Sequence, residues 1–152
     1  MKARKTATMR TMNKSIQILG LLLAMCTASS LTSCNEGDDI DDIFLNRTWK
    51  LALFREGNLT TGAKEGYEIR FYENSFTATT PGGATISGNW HADNKERTFN
   101  CTQVRVISGS IAGDTTATKM RTFLEKATAY KGDTNYLQII QQSNILMQFY
   151  NR

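Results

Sequence analysis

The chain has 152 residues, room for one domain, with 18 Lys and Arg against 14 Asp and Glu and a formal charge of +4. The excess is confined to the start: Lys2, Arg4, Lys5, Arg10 and Lys14 precede an apolar run that no acid precedes, and without residues 1–33 the balance is 13 basic to 14 acidic. A nucleic-acid partner, which the whole-chain charge suggests, therefore loses its electrostatic support.

Residues 1–33 have the three parts of a secretory signal: a positive start, an apolar centre at Ile16 to Ala24, and small residues near a cut. Thr27, Ser29 and Ser30 interrupt the run, which falls short of the ~20 apolar residues a membrane span needs. Leu31, Thr32, Ser33 and Cys34 then follow as an aliphatic residue, two small ones and a cysteine. This resembles the lipobox of bacterial lipoproteins, in which the cysteine is acylated and becomes the first residue. The rival, Cys26, follows Met25, which is bulky for such a cut. The resemblance implies an exported protein, lipid-anchored at Cys34 in the cell envelope, with the outer membrane as its expected location. Two or three acyl chains would hold it there, since each buried methylene contributes about 0.8 kcal/mol.

Glu36, Asp38, Asp39, Asp41 and Asp42 make residues 34–43 an acidic tether, and the folded domain is expected over 44–152. Once Cys26 is removed and Cys34 acylated, Cys101 is the one remaining thiol, which excludes an intramolecular disulfide and a cysteine metal cluster. Trp49, Leu51 and Leu53 alternate with Lys50 in a first strand. Residues 56–62 read as a polar loop. Tyr67, Ile69 and Phe71 share one face of a second strand, with Glu68 and Arg70 on the other, and Ser75 to Thr79 completes a hairpin. Ile86, Gly88 and Trp90 mark a fourth strand. In the fifth, Arg97 to Ile107, the apolar phase moves from Phe99 and Cys101 to Val104 and Val106, which predicts a bulge near Thr102 or Gln103.

Asp114, Thr115 and Thr116 are N-cap candidates, and Met120, Phe123, Leu124 and Ala127 recur at helical spacing, predicting one helix over 116–130 that stops at Gly132. Tyr136 to Ile140 and Ile145 to Phe149 form a closing hairpin. The expected fold is α+β and mostly β: an antiparallel sheet or partly open small β-barrel of about seven strands, with the helix over one opening. The order, with Thr48-Trp49-Lys50-Leu51 early, Gly88-Asn89-Trp90 midway and the helix before a hairpin, resembles the META-domain family of small envelope domains. That resemblance implies no enzymatic activity. The lipocalin family is the second resemblance, although Asn46, Arg47 and Thr48 precede Trp49 without its glycine.

No constellation for catalysis emerges. His91 is the single histidine, and a Cys101–His91 pair would need the two side chains together. Glu65 with Glu68 and Asp93 with Glu96 read as solvated loop carboxylates. No metal or other cofactor is expected. Arg47, Lys50, Arg55 and Arg70, with Tyr67, Tyr72 and both tryptophans, form a candidate basic, aromatic surface for sugars or anionic glycans. The function expected is therefore non-catalytic: binding an envelope protein, glycan or other component, or supporting envelope integrity. The alternative is a lipocalin-like carrier of a small apolar ligand, and a packed or hollow interior separates the two.

Overall fold

A computed structural model of the chain describes residues 39–151; the signal segment, Cys34 and the first part of the acidic tether lie outside them. Nine strands follow in order: β1 (Trp49–Glu56), β2 (Leu59–Gly62), β3 (Glu68–Phe71), β4 (Ser75–Thr79), β5 (Thr85–Asp93), β6 (Thr98–Ser108), β7 (Ala129–Gly132), β8 (Tyr136–Gln141) and β9 (Asn144–Asn151). Helix α1 (Ile40–Phe44) precedes them and α2 (Thr115–Lys126) stands between β6 and β7. The strands form one antiparallel sheet in the order β2-β1-β3-β4-β5-β6-β7-β8-β9, and β1 also pairs with β9, so the sheet returns on itself as a ring. The weakest join is between β6 and β7, which share a single register pair, Thr98 with Ala129.

Helix α2 lies at that side of the ring. Its N-cap is Asp114, whose carboxylate accepts from the Ala117 N–H at 2.9 Å. Ala117, Met120, Phe123 and Leu124 are its buried stripe, and Phe123 meets Phe54 of β1 edge-on with ring centroids 5.7 Å apart. The helix ends at Lys126, four residues before the expected end. Ala127 turns extended, the Thr128 N–H donates to the Ile140 carbonyl, and Ala129 to Gly132 pair with β8. Pairing with β8 and the burial of Tyr130, 2% exposed, override the helical reading of this stretch.

Three further differences from the sequence expectation have local causes. Residues 59–62 form a strand, joined to β1 by the two-residue turn Gly57-Asn58 with Gly57 left-handed at φ +58°. All four β2 residues are exposed, so no burial pattern marks them. In β1 the register against β9 shifts between Leu51 and Leu53, which turns Phe54 inward and leaves Leu53 half-buried. The tether's end folds as α1 because Ile40, Ile43 and Phe44 lie three and four residues apart on one face; Ile43 and Phe44 are fully buried despite Asp41 and Asp42 between.

Phe44 is the hub of the interior. Its ring centroid lies 5.0 Å from Phe71, 4.7 Å from Trp90, 5.4 Å from Phe99 and 5.1 Å from Tyr130. Trp49, Ile69, Phe71 and Trp90 belong to this same buried cluster, joined by Met120, Leu137, Ile139 and Phe149. The ring is filled by packed side chains of this kind. The bulge expected in β6 is present: register shifts between Ser87 and Asn89, and Gln103 takes φ +54°. Gly88 faces that bulge, where a Cβ would sit 2.8 Å from both Phe76 Cε1 and the Thr102 carbonyl oxygen.

Candidate functional site

The turn from α1 into β1 supplies one wall of an external groove, and β3 supplies the other. Asn46 takes φ +58°, a conformation asparagine tolerates, and Leu45 bridges Phe71, which holds residues 46–48 beside the end of β3. Alternation along β3 turns Ile69 and Phe71 inward and Glu68 and Arg70 outward, and Tyr72 continues the outer row, 49% exposed. Asn46, Arg47, Thr48, Arg70 and Tyr72 thereby line a depression of about 320 Å³.

Neutral acceptors position both arginines. Arg47 Nε donates to the Asp42 carbonyl at 2.6 Å and its Nη1 to the Thr134 carbonyl at 3.2 Å. Arg70 Nε donates to Thr48 Oγ1 at 2.7 Å. Among the described residues the ion pairs are Lys119–Glu56 and Arg121–Glu125, so no described carboxylate forms an ion pair with Arg47 or Arg70. Tyr72 is steadied through its backbone, whose carbonyl accepts from Trp90 Nε1 at 2.6 Å. A second depression, of about 420 Å³, adjoins at Asn46, Arg47 and Thr48 and includes Asp41, Asp42 and Asn151. A third, of about 310 Å³, adjoins at Arg70 and Tyr72 and includes Glu68, Thr77 and Thr79.

Of the residues expected on this surface, Arg47, Arg70 and Tyr72 come together. Lys50 is exposed on β1, opposite Glu68 and Tyr150, and lines none of the three depressions. Tyr67 does not join them: it is 6% exposed, with its hydroxyl between the two Asp114 carboxylate oxygens at 2.8 and 2.9 Å. Burial raises the Tyr67 phenol above its ordinary range, and the Asp114 carboxylate adds to the shift. Trp49 and Trp90 are core residues, so the surface holds one aromatic of those named, Tyr72. Asn46 and Thr48 were missed as site residues. The left-handed asparagine beside an arginine is the signal that marks them, and it becomes visible only with the backbone in hand.

His91 and Cys101 lie on opposite faces of the β5–β6 pair, His91 exposed and Cys101 8% exposed. Burial pushes the Cys101 thiol well above its usual range, so it is a neutral core group and a poor nucleophile. Asp93 shapes a turn, its carboxylate accepting from the Glu96 N–H at 2.7 Å. Among the described residues no group of three or more His, Cys, Asp or Glu could hold a metal ion, and no helix is long and apolar enough to cross a membrane.

These features define a class: a small antiparallel β-ring with a packed aromatic interior, a helix at its weakest join, and a polar, arginine-bearing groove outside. Residues 55–151 match the model of a family described as a domain of unknown function, DUF4847, and the chain belongs to that family. A similar solved structure is the crystal structure of a DUF4847 family protein from Bacteroides vulgatus, 22% identical over 74% of this chain and 97% of that one, with a TM-score of 0.56. At that identity the likeness is one of fold. A search of curated proteins finds no match. The family model that matches is thus DUF4847; the META and lipocalin resemblances rest on element order and a few packing residues.

Proposed function

We propose that this chain is a lipid-anchored cell-envelope protein whose DUF4847 domain works by binding an envelope component at the Arg47–Arg70–Tyr72 groove. The observation that carries the reading is the pair of guanidinium groups, fixed by carbonyls and a hydroxyl and, among the described residues, in no ion pair with a carboxylate. Charge held in place by neutral groups is available to a ligand, and the planar fork of arginine suits oxyanions. The aromatic interior around Phe44 supports an external site over a lipocalin-like carrier. The buried, unreactive Cys101 and its separation from His91 support binding over catalysis. Leu31 to Cys34 supports the anchor.

The binding half is tested on the unlipidated Cys34→Ala chain, mixed with isolated envelopes and sedimented. It is expected to co-sediment, and Arg47→Gln with Arg70→Gln is expected to release it. Co-sedimentation that ignores both substitutions removes the groove from the account.

A further inference from the structure

Resting on that groove as the binding surface, we propose that its occupant is an oligosaccharide in which an acidic sugar stands between uncharged ones. The three depressions are contiguous, the middle one sharing Asn46, Arg47 and Thr48 with one neighbour and Arg70 and Tyr72 with the other. An extended occupant therefore fits better than a compact one. The middle position holds both arginines. Arg70 spends its Nε on Thr48, which leaves its two Nη groups to meet a carboxylate end-on.

Tyr72 offers an exposed ring to the apolar face of a sugar, while the Asn46 amide and Thr48 hydroxyl have the donors and acceptors that sugar hydroxyls need. The flanking positions add acids beside the shared arginines: Asp41 and Asp42 beside Arg47 on one side, Glu68 beside Arg70 on the other. A carboxylate that moves outward from the middle position meets these acids, so an acidic unit is favoured at the middle over the flanks and an alternating chain over one acidic at every unit. An acidic peptide fits less well, because peptide recognition commonly draws on deep apolar anchors and, beside hydroxyls, amides and charges, this groove holds only the exposed Tyr72 ring, the buried Phe71 and the half-buried Leu45.

The experiment is calorimetric titration of the full-length protein in detergent, at fixed salt, with four probes. They are a hyaluronan hexasaccharide, which alternates glucuronate with N-acetylglucosamine, a hexagalacturonate, a maltohexaose and a hexaglutamate peptide. The hyaluronan hexasaccharide is expected to bind best. Arg70→Gln is expected to weaken it about tenfold or more, the loss of a hydrogen bond to a charged group, with an unchanged melting temperature. Arg70→Lys, which keeps the charge and loses the fork, is expected to fall between.

No binding of that probe, equal or better binding of any other, or full affinity in the Arg47→Gln/Arg70→Gln double variant overturns the proposal. Envelope co-sedimentation that persists without glycan binding would sink this inference alone. Loss of both would sink the groove as a site.

Discussion

Asp114 serves two elements at once. Its carboxylate accepts from the first turn of α2 and from the Tyr67 hydroxyl, tying the helix to the approach of β3. Replacing it with alanine removes a cap and takes away the acceptor of the buried Tyr67 hydroxyl, and is expected to cost about 1–3 kcal/mol in denaturant unfolding. The raised Tyr67 phenol gives a pH signature. Its folded value lies above the unfolded one, so the stability it contributes is complete below the ordinary tyrosine range and is lost as pH rises past that range. Melting curves should show an alkaline decline that is smaller in Tyr67→Phe; identical declines would remove Tyr67 as its source. Gly88 sits where a Cβ would press on Phe76 and the Thr102 carbonyl. Gly88→Ala is therefore expected to cost about 1–3 kcal/mol by overpacking, with a melting temperature to match.

At the scale of elements, α1 contributes more than its five residues suggest. Phe44 touches four aromatic rings drawn from β3, β5, β6 and β7, so Phe44→Ala is expected to cost about 3–5 kcal/mol, among the largest single losses in the domain. β2 is the opposite case. Its residues are all exposed, and Leu59→Thr is expected to change stability by less than about 0.5 kcal/mol. The same contrast explains what could be read from the sequence. Alternation found β3, β4 and β5 because one face of each is buried, and a phase shift found the β6 bulge. β2 has no buried face to leave a pattern. The β1 bulge and the strand after α2 are set by their partners, β9 and β8, which local periodicity does not see. The apolar spacing of Ile40, Ile43 and Phe44 was legible, but the acids between them read as solvated tether. For the groove, parity was the guide: Arg70 and Tyr72 share the outer row, while Tyr67 falls with Ile69 and Phe71 and belongs inside.

For the molecule as a whole, the ring encloses a packed interior, and the Arg47–Arg70–Tyr72 groove lies outside it. Cys101 reports on that integrity. Its thiol is expected to resist an aqueous alkylating reagent in the native protein and to react on unfolding. If Cys34 is acylated, four residues lie between it and Asp39, so at most about 18 Å of extended chain joins the anchor to the first described residue. A domain so tethered would meet ligands displayed on, or embedded in, that same membrane. Lipidation is therefore the premise on which location and partner class depend. It is tested directly by expressing the chain and its Cys34→Ala variant in a Gram-negative host with a labelled fatty acid, then fractionating the cells. The account predicts label and membrane association in the wild type and loss of both in the variant. Unlabelled wild-type protein, or a variant that keeps its label and stays in the membrane, would contradict it.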